Sequence, residues 1–292
     1  MKKIEEPLLQ QNELQSLVKL LDDECEFVYD NVRDRLIAHG DNIVNFLKEY
    51  ADFQDPLTAL RANEIISAIN FNFLDEKFKN LEKKGNKDLL EEAVFLISMY
   101  GYPDINIDNY KMILDKMALD IEKRIDDRGY LSHDTVDIIN IMNDYLFVEK
   151  KFYGNSDNYY DPDNSFINKV IDKKLGIPVS ISILYILLGK RLHLPIFGVN
   201  LPSHFIIKYQ DSNEEFFIDP FNKGIVISRD EVIQFLDKLG LDEEEFNHIP
   251  YLKIAEDKEI IKRVFANLEN VYEKENDTVR LDQIKKLASY FD

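Results

Sequence analysis

The chain of 292 residues carries 55 Asp and Glu against 36 Lys and Arg, a formal net charge of −19 at pH 7. A field of that sign repels phosphate backbones, so nucleic acid and anionic membrane surfaces are excluded as expected partners. With 45% hydrophobic and 31% charged residues the chain reads as globular and long enough for one large domain or two ordinary ones, and its single cysteine, Cys25, excludes an internal disulfide and any cysteine-based zinc site.

One cysteine also fits a reducing compartment. The start, Met1-Lys2-Lys3-Ile4-Glu5-Glu6-Pro7, turns acidic at once and has no apolar run behind its lysines, so no secretory signal is expected there. The longest apolar stretch, Ile177 to Leu188, is interrupted by Pro178 and stops at Lys190-Arg191, too short to span a bilayer. A soluble cytoplasmic protein is the expectation.

From Leu14 to about Lys84 apolar residues recur at helical steps: Leu14, Leu17, Val18, Leu21; Ile43, Val44, Leu47; Leu57, Leu60, Ile65, Ile69. His39-Gly40 is set to end one helix and Asp41 to cap the next; Asp55-Pro56 is a cap followed by a first-turn proline, and Gly85 follows Lys83-Lys84. Short helices joined by tight turns suggest a helical-repeat-like arrangement, although no motif repeats. Further helices are predicted from Asp88 to Tyr100, from Asp108 to about Asp126, and from about His133 to Val148.

After Phe152-Tyr153-Gly154-Asn155 the composition turns to aromatic, Asn, Asp and Pro, an ordered loop in which Asp163-Asn164-Ser165 can cap a helix through Lys173. Gly176 breaks that helix. Pro178 suits the first turn of the next, which is apolar nearly all round and expected to be buried. Strands follow at about Ile196–Val199, Ser203–Tyr209 and, after a Gln210–Glu214 hairpin loop, Glu215–Asp219. Pairing Tyr209 with Glu215 sets His204 opposite Pro220 and within a residue of Asp219. From Ser228 onward the chain is helical again, through Val232, Phe235, Leu236 and Leu239, with a break at Ile249-Pro250 and a closing helical pair.

The central run from Phe152 to Gly224 resembles the transglutaminase-like superfamily, and specifically its SirB-type branch. The resemblance is carried by Phe152-Tyr153-Gly154-Asn155, Tyr159-Tyr160-Asp161-Pro162 with Asn164-Ser165-Phe166 and Asn168, Gly176-Ile177-Pro178-Val179-Ser180, Pro202 and His204-Phe205, and Ile218-Asp219-Pro220-Phe221. It extends loosely back to Tyr102-Pro103-Asp104 and forward to Asn267-Leu268-Glu269-Asn270-Val271-Tyr272. It implies an α+β fold: a helical N-terminal region (1–144), a transglutaminase/papain-like core of one buried helix on a small antiparallel sheet (145–228), and C-terminal helices (229–292). Catalytic members place a cysteine at the start of the buried helix; here that position is Pro178, and the branch as a whole carries proline there. The sequence also departs at Ser203 and His193, where the family usually has glycine.

His204 is thus either a structural histidine bonded to Asp219 or a general base oriented by it. Asp219 has a second reading as the cap of the Pro220-Phe221 turn. Ser182, four residues after Pro178 and on the same helix face, is the geometric choice if a serine replaces the thiol, although a buried helix serine more often bonds a carbonyl one turn back. Tyr159, Tyr160, Asp161, Asn164, Pro178 and Ser180 are candidates to line a binding cleft. His39, His133, His193 and His248 have no companions at metal-ligand spacing and no phosphate loop or dinucleotide fingerprint occurs, so neither metal nor cofactor is expected. Two functions follow: a pseudoenzyme that binds a protein or peptide in a relic cleft, or a hydrolase or acyl-transferase using His204 and Asp219 with Ser182 or an activated water. Oligomeric state is left open.

Overall fold

The computed structural model describes residues 11–51, 55–81, 88–127, 135–240 and 251–292. The expectations resting on the first seven residues, Lys83-Lys84-Gly85, His133, His248 and Ile249-Pro250 lie outside them. The chain divides into two compact units, Met1–Lys77 and Phe78–Asp292.

In the first unit, helices α1 (Gln11–Val18), α2 (Glu26–Ala38), α3 (Val44–Ala51) and α4 (Pro56–Leu81, its last turn in the second unit) bury most of the stripes that the spacing predicts, but Leu57 and Leu60, expected on the buried stripe of α4, are exposed in its first turns. Leu17, Val18 and Leu21 meet Leu36, Ile43, Leu47, Ile65 and Ile69 in one core. Asp55 caps α4 by accepting from the Leu57 and Thr58 N–H groups, with Pro56 in the first turn, as predicted. Arg61 ties α4 to the turn after α1 by donating to the Leu21 and Asp23 carbonyls. At 26 residues α4 is longer than the short helices expected.

The second unit opens with α5 (Leu89–Gly101), α6 (Ile107–Asp127) and α7 (Thr135–Asn143). The helix expected to run unbroken to Val148 instead widens into a π-helical turn at Asp144–Glu149. Two short parallel strands, β1 (Tyr153–Gly154) and β2 (Leu175–Gly176), bracket the aromatic loop and α8 (Ile167–Lys173). The capping expectation shifts here. Asp161, not Asp163, does the capping, and it caps a 3-10 turn at Pro162–Asn164, while α8 begins after Phe166 with no side-chain cap. Proline at the first position of that turn leaves the donor of Asp163 for Asp161 to bind.

The buried helix is α9 (Pro178–Arg191), with every residue from Pro178 to Gly189 buried. It packs on a four-stranded antiparallel sheet of β3 (Ile196–Leu201), β4 (His204–Gln210), β5 (Glu215–Asp219) and an additional β6 (Ile225–Ile227) in that order. Helix α10 (Arg229–Lys238) covers the other face, where Val232 and Leu236 join Val199, Ile206 and Phe217. The final helices, α11 (Asp257–Lys274) and α12 (Thr278–Ala288), pack together, and α11 also rests on α5 and α9. No helix among the described residues is long and apolar enough to cross a membrane. The architecture is the α+β one predicted.

The C-terminus of α9 closes by a Schellman arrangement: Leu194 N–H reaches the Gly189 carbonyl, His193 N–H that of Lys190, and His193 is left-handed at φ 57°. A β-carbon strains that conformation, which is the physical reason for the glycine that the resemblance leads one to expect at this position. We expect His193→Gly to stabilise the fold by about 0.5–1 kcal/mol in a urea titration, because the exposed imidazole loses no packing. A destabilised variant would contradict this.

Candidate functional site

The hairpin register decides the site. Pairing runs Gln210↔Glu215, Tyr209↔Phe216, Lys208↔Phe217 and Ile207↔Ile218, one residue away from the register expected from sequence. Asp211 is the cause: its carboxylate accepts from the Asn213 and Glu214 N–H groups, turning the chain in four residues and leaving Gln210 in the strand. Continued, this register sets Asp219 opposite Ile206, two residues from His204 and on the same face of β4. The predicted register would have put it opposite Phe205, on the other face.

His204 Nε2 lies 2.8 Å from Asp219 Oδ2. An ionised carboxylate only accepts, so Nε2 carries the proton, and in the neutral ring Nδ1 keeps the lone pair. Nδ1 has no hydrogen-bond partner among the described residues. The imidazole has the rings of Phe221 and Phe235 at 6.2 and 6.0 Å. Asp219 serves both of its readings at once: Oδ1 accepts from the Asn222 N–H at 3.2 Å, capping the Pro220–Asn222 turn, and Oδ2 accepts from Asn222 Nδ2 at 2.7 Å. Burial opposes ionisation of Asp219, but the bonds from His204 and Asn222 outweigh it and hold the carboxyl below its ordinary pKa.

Ser182 is placed otherwise. It is wholly buried in α9, its hydroxyl has no hydrogen-bond partner, and α9 lies on the sheet face opposite the one that His204, Ile206 and Asp219 share. Ser180 works within the helix start, accepting from the Ile177 N–H at 3.0 Å and donating to the Asn164 carbonyl. Asn164 is in turn a loop brace, donating to the Asn158 and Tyr159 carbonyls at 2.7 and 3.1 Å and accepting from Asn155. Asp161 caps its turn and lies 3.6 Å from Lys173. Pro178 is buried at the first position of α9.

A cleft of about 670 Å³ lies beside these groups. Tyr159 and Tyr160, rings edge to face at 5.3 Å, form one wall with Ser165 and Ile177. Ser203, left-handed at φ 59° in the two-residue turn before His204, brings β4 to the rim. The opposite wall is α11, through Arg263, Asn267, Asn270 and Lys274. The buried side of the helix carries Ile260, Val264, Leu268 and Val271. Sequence reasoning, which placed only a closing helical pair here, missed the cleft wall. Its signal was a second stripe, polar, at steps of four, three and four along the other side of the same helix. Among the described residues no cluster of His, Cys, Asp and Glu is arranged to hold a metal.

Known proteins agree with the central run. The UPF0162 protein of Xylella fastidiosa strain 9a5c is 28% identical over 189 residues, 64% of this chain and 66% of the relative. The counterpart in strain Temecula1 is also 28% identical, over 63% of this chain and 64% of its own length, so the chain spans just under two thirds of these relatives. F-box only protein 21 of Homo sapiens is 34% identical over 95 residues, 30% of this chain and 15% of that protein. No solved structure matches. The family model of the transglutaminase-like superfamily matches residues 108–266, the span holding α9, the sheet and the His204–Asp219 pair, and the chain belongs to that superfamily.

Proposed function

We propose that this chain is a non-catalytic transglutaminase-like protein that binds a protein or peptide partner in the cleft beside the His204–Asp219 pair. The observation that carries the reading is the start of α9, where Pro178 offers no nucleophilic atom. The neighbouring hydroxyls do not replace it: Ser180 is committed to the helix cap, and Ser182 is sealed on the opposite side of the sheet from His204. His204 and Asp219 then act as a rigid corner that holds Ser203 at the cleft rim, while Tyr159 and Tyr160 offer an aromatic wall of the kind that peptides use. Asp161, Asn164, Pro178 and Ser180 shape that wall from behind. Residues 145–228 supply the core, 1–144 and 229–292 supply helical scaffold, and the setting is cytoplasmic.

One feature favours a second reading. The Nδ1 atom of His204 is unoccupied among the described residues while Asp219 orients the ring, the arrangement a general base needs. A hydrolase or acyl-transferase would then use Ser182 or an activated water. The two readings separate on reaction of wild type and His204→Ala with a serine-directed fluorophosphonate, mapped by mass spectrometry, together with turnover of activated esters. We expect no labelling at Ser180 or Ser182 and no turnover above that of the variant. Labelling of Ser182, or hydrolysis that vanishes with His204, would overturn the non-catalytic reading.

A further inference from the structure

The polar wall of the cleft has an unusual charge. Asp and Glu outnumber Lys and Arg by 55 to 36 in this chain, yet the charged residues lining the cleft are Arg263 and Lys274, both cationic. Arg263 is half-buried on α11, and its guanidinium has no ion pair and no hydrogen bond among the described residues. The other described arginines are engaged, among them Arg33 with Asp30 and Asp34, Arg61 with two carbonyls, Arg124 with Glu149, Arg191 with Glu91 and Asp115, Arg229 with Glu215, and Arg280 with Asp277. A half-buried guanidinium left unpaired amid excess carboxylate has five donors and a planar fork directed to no protein acceptor.

A second, independent observation lies on the opposite wall. Ser165 is only 5% exposed, lines the cleft, and its hydroxyl makes no hydrogen bond among the described residues. The hydroxyl is therefore a donor left open to the cleft and not committed to the protein. Ile177, the residue before α9, lines the same space and brings the positive end of that helix toward it. Lys274 Nζ sits 3.0 Å from the centroid of the Tyr160 ring, a cation on an aromatic face at the cleft wall.

We propose that the cleft receives a peptide carboxylate, with Arg263 as its bidentate anchor, Ser165 as a second donor and Lys274 drawn from Tyr160 to complete the charge. The proposal rests on the cleft-binding reading above and gives it a ligand chemistry. A carboxylate fits better than a phosphate: the fork of arginine matches its planar geometry, and a net charge of −19 repels a dianion more than a monoanion. The carboxylate has two sources, an acidic side chain within a segment or a free C-terminus.

The test is an NMR titration of the full chain with three N-acetylated tetrapeptides. The first has two central glutamates and an amidated C-terminus, the second central glutamines and a free C-terminus, the third central glutamines and an amidated C-terminus. We expect at least one of the first two to perturb Arg263, Ser165 and Tyr160 saturably, with whichever binds identifying the source, and the third to bind about tenfold more weakly or not at all. Arg263→Gln should weaken the carboxylate peptide about tenfold while Arg229→Gln, an exposed site away from the cleft, leaves it unchanged, and Arg263→Lys, which keeps charge and fold, should restore only part of the loss. Equal binding of all three peptides would overturn the carboxylate while leaving a peptide cleft standing. Absence of saturable perturbation by any of them would overturn both.

Discussion

Asp219→Ala is expected to destabilise the fold by about 3 kcal/mol, read as a lowered urea midpoint at unchanged slope. The side chain is 8% exposed and accepts from three donors: His204 Nε2, Asn222 N and Asn222 Nδ2. Removing it leaves those donors unpaired beside the Phe221 and Phe235 rings. His204→Ala should cost less, since Asp219 keeps both bonds from Asn222. The pH dependence follows from the depressed carboxyl. Burial alone would raise its pKa, but the His204 and Asn222 bonds prevail, so the folded form binds its proton less readily than the unfolded chain. The contribution is therefore present above the ordinary carboxylate range and is lost as the pH falls through the folded value. The difference between wild type and Asp219→Asn should shrink on that acid limb, below about pH 4. A gap that stays constant to lower pH would show that the carboxylate charge plays no part.

Gly224→Ala is expected to be at least as damaging, at about 3–5 kcal/mol. Gly224 is left-handed at φ 72°, and a β-carbon there would stand 2.0 Å from Asn143 Oδ1 and 2.7 Å from a Phe147 ring carbon. Asn143 is the joint at the end of α7: it donates to the Gly224 carbonyl at 2.6 Å and accepts from the Tyr185 hydroxyl at 3.1 Å. Pushing it aside leaves the hydroxyl of Tyr185, deep in α9, without its acceptor, and burial already pushes that group's pKa up. Tyr185→Phe isolates the hydrogen-bond share of the loss and should cost about 1–2 kcal/mol. If Gly224→Ala proved as mild as Tyr185→Phe, neither the backbone strain nor the steric conflict would be real.

The elements were legible wherever one face of one helix decided the matter. Leu17, Val18 and Leu21, or Ile65 and Ile69, sit at helical spacing because each helix buries a single stripe, and the unbroken apolar run of α9 marks a helix enclosed on all sides. Asp55-Pro56 was equally legible, since cap and first-turn proline act within four residues. The order of motifs from Phe152 to Asp219 identified the family. Less legible were the positions where a side chain competes with the backbone. Asp161 took the capping role assigned to Asp163-Asn164-Ser165, and Asp211 shortened the hairpin loop by one residue.

That single residue separates what the sequence by itself determined from what the fold decided. The sequence placed a histidine and an aspartate on neighbouring strands and put a proline where a thiol belongs, because strand order and helix starts are local properties of the chain. Whether His204 and Asp219 share a face depended on register, and a strand has period two, so a slip of one residue would have turned them to opposite sides of the sheet. The polar wall of the cleft depended on more still. Arg263 and Asn267 line the same cleft as Ser165 and Tyr159 only because α11 folds back to pack on α5 and α9, a contact decided by burial of its apolar stripe and not by the polar one it carries into the cleft.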